Sequence, residues 1–211
     1  MLTAGNAAYD SLLQDYVRFH EALVVVGGVF TLALTALGIF AWVRFRRAPR
    51  PAQGGLGFEK RTYLLCGVFS LGLSALLALV VAANLSNVLN PRAGLDGAIG
   101  DVAYPRALAS WLDSGSPEVP AFIQERVEER LAWQMPKAII STILLLLCAA
   151  LTVYLWRRLM MRYRAHREVR GRGLVLSAAS FGILACFVLM LMVMGNTQAS
   201  YAPVVMTLLY G

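Results

Sequence analysis

Four long stretches of this chain contain no Asp, Glu, Lys, Arg or His, and they restrict the fold more than any other feature. They cover residues 22–43, 62–91, 138–156 and 173–211. About 20 apolar residues in a helix cross the roughly 30 Å hydrocarbon core of a bilayer, and soluble domains have little reason to carry such runs. The sequence therefore predicts four transmembrane helices, near residues 20–44, 62–89, 136–158 and 173–196.

The predicted fold is an all-α, polytopic membrane protein whose four spans form one helical bundle. The composition agrees, because 58% of the residues are hydrophobic, only 15% are charged and the mean hydropathy is +0.63. Four spans within 211 residues leave no room for a second globular domain. We therefore expect one membrane domain over residues 1–211, with a loop near 90–135 and an apolar tail at 197–211.

Basic residues concentrate in the two loops that follow the first and third spans. These loops, at residues 44–61 and 157–172, carry a net charge of +11, whereas the rest of the chain carries −4. Short loops rich in Lys and Arg stay in the cytoplasm. The asymmetry predicts both termini and the 90–135 loop on the extracytoplasmic side. The arginine-rich run at 157–173 lies between two predicted spans, which is typical of a topology determinant. For this reason we expect no nucleic acid as a partner.

The loop at 90–135 is predicted to contain helices of its own. After a turn-rich segment at 91–100, residues 105–113 favour a short helix. A longer amphipathic helix over 118–134 follows the start signals Ser116 and Pro117 and runs into Pro136 and the third span. Its apolar stripe must rest on the membrane surface, the bundle or another subunit. The stripe consists of Val119, Phe122, Ile123, Val127 and Leu131.

The tail at 196–211 has no charge, although it is predicted to lie outside the membrane. Eight residues follow Pro203, about 12 Å even as a helix, so a fifth span is excluded. Left in water, they would form an apolar strip of a kind that soluble tails avoid. We therefore expect the tail to be covered by the outer leaflet, by a partner subunit or by the 118–134 helix.

Residue types that carry chemistry are scarce. No Asp, Glu, Lys, Arg or His lies in the chargeless stretch of any predicted span, which argues against a pump or an ion-coupled carrier. His20 and His166 are predicted at opposite membrane faces, and no cluster suggests a metal or a cofactor. Cys148 and Cys186 are expected near mid-membrane on consecutive spans, where they could approach each other. Asn84, with two further asparagines near the end of the second span, is expected at the interface, in a wet cleft or at a helix cap.

Small and hydroxyl-bearing residues recur at helical spacing within the spans. The first span has Gly27, Thr31, Thr35 and Gly38, and the second has Gly67, Ser70 and Ser74 among others. Such stripes let helix backbones approach closely and let hydroxyls bond across helices. Ordinary packing of the bundle is the expectation, and a hydroxyl-lined pore in an oligomer is the alternative.

These features together favour a non-catalytic membrane subunit of a larger bacterial complex in the inner membrane, with lipids and other integral membrane proteins as partners. The alternatives are a homo-oligomeric channel or permease subunit, and an outer-leaflet lipid-modifying enzyme. The enzyme would use His20 with Glu21, or loop carboxylates among Asp96, Asp101 and Asp113.

The sequence also suggests which side chains meet partners and lipids. The candidate partner interface consists of Trp111, Phe122, Val127, Leu131, Val204, Val205, Leu208, Leu209 and Tyr210. The candidate contacts with lipid headgroups are Arg46, Arg47, Arg158, Arg162 and Arg164. No catalytic, cofactor-binding or metal-binding residue is predicted.

Overall fold

A computed structural model describes residues 6–49, 57–99, 103–165 and 172–210, except the side chains of residues 164, 172–175, 209 and 210. Within these ranges every regular element is a helix, and no strand occurs. The helices are α1 (Ala7–Arg47), α2 (Phe58–Leu89), α3 (Pro91–Ala98), α4 (Pro105–Ser114), α5 (Ala121–Arg164), α6 (Arg172–Tyr201) and α7 (Pro203–Tyr210).

Four helices of the described ranges, α1, α2, α5 and α6, are long and apolar enough to cross a membrane. The predicted all-α fold with four transmembrane helices is confirmed, and the chain is a multi-pass membrane protein. Each helix begins or ends beyond its predicted span, and in α1, α2 and α5 the added turns carry charged residues. In α1, for example, the chargeless stretch fills 22–43 of a helix that begins at Ala7.

Several helices begin at a proline or an asparagine cap, and one ends at a glycine. The Asn6 side-chain oxygen accepts hydrogen bonds from the backbone N–H groups of Ala8 and Tyr9, at 3.0 and 3.1 Å, and so caps α1. Prolines at the first positions of α3, α4 and α7 have no N–H to leave unpaired there. Gly115 ends α4 with a φ of 64°, a left-handed conformation that favours glycine.

Two local expectations are corrected. The turn-rich segment predicted at 91–100 is wrong for its first eight residues, which form α3, because a helix restarts at Pro91. The long loop helix begins at Ala121 rather than at residue 118. It then continues through Pro136 without ending, so the predicted loop helix and third span are one helix of 44 residues.

The chain separates into two compact units. Unit 1 comprises Met1–Gly27, Leu79–Ile139 and Met192–Gly211, and unit 2 comprises Gly28–Ala78 and Ile140–Leu191. Unit 1 therefore contains α3, α4 and α7 together with the adjoining ends of the long helices. Unit 2 contains the remaining parts of those long helices.

In unit 2 the small-residue stripes pack helices together. The hydroxyls of Thr35 and Ser74 are hydrogen-bonded at 2.6 Å, and the Ser74 hydroxyl also donates to the Thr31 carbonyl at 3.1 Å. A Cβ built on Gly67 would lie 3.6 Å from the Gly38 carbonyl oxygen. These contacts join α1 to α2, and the expected packing role of the stripes is confirmed for this pair.

A second close contact in unit 2 joins α5 to α6. A side chain at Gly182 would collide with the Thr152 hydroxyl, so only glycine fits there. The Cys148 thiol lies 3.6 Å from the Gly182 carbonyl oxygen and is hydrogen-bonded to Cys186. The expected approach of these two thiols is confirmed.

Candidate functional site

The candidate site is unit 1, because it contains most of the side chains to which the sequence assigned a role. Its core is built from parts of the chain that are far apart in sequence, which bury large apolar side chains together. The buried members are Ala8, Tyr9, Leu12, Tyr16, Phe19, Leu95, Leu108, Trp111, Leu112, Ile123, Val127, Ala202, Val205 and Leu208. Side chains of this kind gain roughly 1.5–3 kcal/mol each on full burial, which explains why short helices persist here.

Helix α4 contributes the largest of these side chains. Trp111 is 1% exposed, and its indole N–H donates to the Ser116 carbonyl at 2.9 Å. The same turn is held by the Ser114 hydroxyl, which donates to the Trp111 carbonyl at 2.6 Å. Trp111 is therefore the largest fully buried side chain of the core, and its hydrogen bond also fixes the loop that leaves α4.

The tail forms α7 and is covered by the chain itself. Its Val205 and Leu208 side chains are buried in the core. Its Leu208 carbonyl accepts a hydrogen bond from the Ala103 backbone N–H at 2.6 Å, and its Met206 carbonyl accepts one from Arg130 at 3.3 Å. Of the coverings that the sequence left open, docking on the chain's own helices is the one observed.

A buried carboxylate holds the beginning of α7. The Asp15 carboxylate accepts hydrogen bonds from the backbone N–H groups of Val205, at 2.7 Å, and Val204. The first N–H groups of a helix have no partner within it, and the helix dipole makes this end favourable for a negative charge. Asp15 of α1 therefore caps α7 across 190 residues of sequence.

The nine candidate interface residues are placed differently from one another. The side chains of Trp111, Val127, Val205 and Leu208 are buried in unit 1, with Val204 and Leu131 packed against them. These six make contacts within the chain itself, and their expected contact with a partner stays a prediction. Phe122 remains 46% exposed, whereas the side chains of Leu209 and Tyr210 lie outside the described residues.

Of the residues considered for an outer-leaflet enzyme, those that the structure describes lie on three different helices, α1, α3 and α4. Asp96 accepts a hydrogen bond from the Tyr9 hydroxyl at 2.9 Å and so links α3 to α1. Glu21 and Asp113 are exposed on different helices. Asp101 and His166 lie outside the described residues.

His20 belongs to a polar cluster at the end of unit 1 that is nearest the chargeless part of α1. It is buried, with 8% of its surface exposed, and its Nδ1 lies 2.7 Å from Asn84 Oδ1. The Tyr16 and Phe19 rings meet the imidazole edge-on, with centroids 4.5 and 5.2 Å away. The Gln198 amide donates to the Phe19 carbonyl at 3.2 Å, which connects α6 to the same place.

The candidate headgroup contacts belong to unit 2 and are largely accessible. Arg46, Arg47 and Arg158 are exposed, and Arg162 is half-buried. The Arg164 side chain lies outside the described residues. Exposed guanidinium groups at the end of a membrane helix are able to reach phosphate oxygens.

Sequence reasoning missed Asp15, although its position offered a signal. Ala8, Leu12, Asp15 and Phe19 follow each other at spacings of four, three and four residues, which places the aspartate on the buried face of α1. An acidic residue on an apolar face indicates a buried partner. Nothing in the sequence indicated that the partner is the start of α7. Backbone N–H groups are present at every residue except proline, so they do not mark one segment over another.

Among the described residues, no group of three or more His, Cys, Asp or Glu side chains is arranged to hold a metal ion. No protein-family model, curated protein or solved structure matches this chain.

Proposed function

We propose that this chain is a non-catalytic integral membrane subunit of a larger protein complex in a bacterial inner membrane. The observation that carries the proposal is the use made of its polar side chains. In unit 1, Asp15, Asp96 and Trp111 join helices or close turns of the same unit. In unit 2, the hydroxyls of Thr35 and Ser74 join two helices. Groups held in this way stabilise the fold. They are not free to react with a substrate or to line a transport path through the membrane.

A second line of support is the apolar surface that the chain does not cover by itself. In the most apolar window of each candidate span, only 11–22% of the residues are buried within the chain. Lipid covers such surface in a membrane, but Phe122 lies on a stretch of α5 that also carries Glu125, Arg126, Glu128 and Glu129. That stretch belongs outside the hydrocarbon core. Phe122 is thus an exposed aromatic side chain outside the hydrocarbon core, beside the Tyr104 ring and the Arg126 guanidinium group, as expected at a protein interface.

The charge asymmetry supports the proposed orientation, with both termini extracytoplasmic and the basic loops in the cytoplasm. In this orientation Arg46, Arg47 and Arg158 lie at the cytoplasmic leaflet. Anionic headgroups there attract basic side chains by about 1 kcal/mol each. We include anionic lipids among the proposed partners on this basis.

Thiol labelling tests the orientation. Ala165→Cys and Ser114→Cys, each in a chain whose three native cysteines are replaced by serine, place single thiols at exposed positions. We expect a membrane-impermeant maleimide to label intact cells of the Ser114→Cys variant and to leave the Ala165→Cys variant unlabelled until the cells are opened. The reverse pattern would invert the proposed topology.

Purification in mild detergent from the source organism tests the subunit proposal. We expect stoichiometric foreign membrane proteins to accompany the chain. Phe122→Ala should weaken their association about tenfold, equivalent to 1.4 kcal/mol, because truncating an interface aromatic residue typically costs that much or more. The matched control is Phe181→Ala, since Phe181 is exposed within a chargeless stretch where lipid covers it, and its loss should leave the association unchanged.

Other outcomes of this purification count against the proposal. A homo-oligomer without foreign subunits would support a channel. A lone chain that turns over lipid would support an enzyme. Equal effects of the Phe122→Ala and Phe181→Ala variants would remove Phe122 from the interface.

A further inference from the structure

The imidazole of His20 is held in one orientation by contacts on several sides. Tyr16 and Phe19, from the same helix, meet it edge-on. From α2, Asn84 forms a hydrogen bond to its Nδ1. A ring confined in this way presents its remaining nitrogen, Nε2, in a fixed direction, so that binding a ligand costs little further side-chain entropy.

The hydrogen bonds of Asn84 determine which imidazole nitrogen carries the proton. The Asn84 Nδ2 group donates to the Val80 carbonyl at 2.8 Å. This bond orients the amide so that Oδ1 faces His20, and an amide oxygen only accepts hydrogen bonds. His20 Nδ1 is therefore the donor. In the neutral ring Nε2 then has a lone pair and no proton, so it is an acceptor.

No hydrogen bond joins His20 Nε2 to another described residue. It is also not one of the fully buried side-chain atoms without a partner, which among the described residues are Trp156 Nε1 and Thr207 Oγ1. Nε2 is therefore accessible from outside the chain. A polar atom of a side chain that is largely removed from water costs free energy unless it is hydrogen-bonded, so a donor is expected there.

The position of His20 along α1 indicates which donors are available. It lies two residues before the chargeless stretch at 22–43, about 3 Å along the helix axis, between the exposed Arg18 and Glu21. This is the depth at which phospholipid headgroups meet a membrane helix. Headgroups differ in the property that matters here, because ethanolamine has N–H donors and glycerol has O–H donors, whereas the trimethylated nitrogen of choline has none.

We propose that His20 Nε2 is a lipid-binding site that accepts a hydrogen bond from the headgroup of a phospholipid bearing a donor, and so selects ethanolamine or glycerol headgroups over choline. The Asn84 side chain is a positioning residue for this site, since its Oδ1 holds Nδ1 and so orients the imidazole. The proposal depends only on the membrane location of α1 and not on the proposed role as a subunit.

Lipid competition in nanodiscs tests the site. The full chain is reconstituted in phosphatidylcholine with a minor fraction of phosphatidylethanolamine or phosphatidylglycerol, and the lipids that remain bound are quantified by native mass spectrometry. We expect a five- to tenfold preference for the donor-bearing lipids, in line with the net strength of one hydrogen bond. His20→Phe keeps an aromatic ring between Tyr16 and Phe19 but removes the acceptor, and should bring the preference close to one.

The matched control is Tyr201→Phe, which removes a hydroxyl from an exposed side chain of unit 1 and should leave the preference unchanged. An unaltered preference in the His20→Phe variant, or none in the wild type, would overturn the proposal and leave water as the donor. An equal loss in the Tyr201→Phe variant would also overturn it, because the effect would not be specific to His20.

Nitrogen NMR of the wild-type chain gives an answer that does not depend on the variants folding. With ¹⁵N-labelled histidine, the Nε2 signal of His20 should show an unprotonated nitrogen and should move when phosphatidylethanolamine replaces phosphatidylcholine. A protonated Nε2, or a chemical shift that stays the same when the lipid is exchanged, would refute the assignment.

Free phosphoethanolamine added to phosphatidylcholine nanodiscs provides a second test, which distinguishes a soluble ligand from the lipid. A shift as large as that caused by the lipid would identify a soluble ligand and exclude the lipid site.

Discussion

Replacing Trp111 by alanine is expected to lower the free energy of unfolding by about 3–5 kcal/mol, the usual cost of removing a buried aromatic side chain. Trp111 is 1% exposed and is the largest fully buried side chain in the unit 1 core. The substitution leaves a large cavity and also removes the hydrogen bond to the Ser116 carbonyl. The measurement is guanidinium-induced unfolding in mild detergent, with hydrogen exchange used to follow the backbone amides of α4 and α7.

The chain offers a matched control in Trp133, which is 70% exposed. Its described contact is with the Lys137 ammonium group, 5.4 Å from the centre of the ring. Losing a cation–π contact at an exposed site costs about 1 kcal/mol or less, so Trp133→Ala should have a small effect. Similar losses for the two tryptophan variants would contradict the described core.

Replacing Asp15 by alanine is expected to destabilise unit 1 by about 2–3 kcal/mol, because a hydrogen bond to a charged group is lost and N–H groups at the start of α7 lose their acceptor inside a protein core. The Val205 N–H lies 2.7 Å from the Asp15 carboxylate. Hydrogen exchange of the α7 amides should accelerate more than exchange in α2, which distinguishes undocking of α7 from unfolding of the whole chain.

Asp15→Asn is the informative comparison, since asparagine has the same shape and keeps an oxygen that accepts hydrogen bonds. We expect it to retain much of the stability and to lose mainly the interaction of the negative charge with the α7 dipole, about 1 kcal/mol or less. An alanine variant no less stable than the asparagine variant would show that the hydrogen bond to α7 has no role in docking.

The fold class followed from local information, and this explains which expectations succeeded. Residues 22–43 and 138–156 lack charges over lengths that match a bilayer, so their environment could be inferred without any tertiary contact. The short helix near 105–113 and the restart of the chain at Pro91 also depended on neighbouring residues. The α3 helix was missed because glycines and proline at 91–100 resemble a turn.

The candidate interface shows where local information was insufficient. Trp111, Val205 and Leu208 were correctly recognised as side chains that must be covered, because their apolar surface is costly in water. An apolar stripe does not specify its occupant, however, and the sequence left lipid, a partner and the chain itself open. In the structure, the chain's own helices cover these side chains in unit 1, whereas Phe122 remains exposed.

The sequence by itself determined the number of spans, their approximate limits and the need to cover the tail, because each follows from the transfer of apolar residues out of water. Only the tertiary structure decided that α7 docks on α1 and α5, that Asp15 caps a helix 190 residues away, and that Asn84 orients His20. These contacts join segments distant in sequence through directional hydrogen bonds. Their geometry depends on how helices are placed in space, and hydrophobic patterning carries no record of that placement.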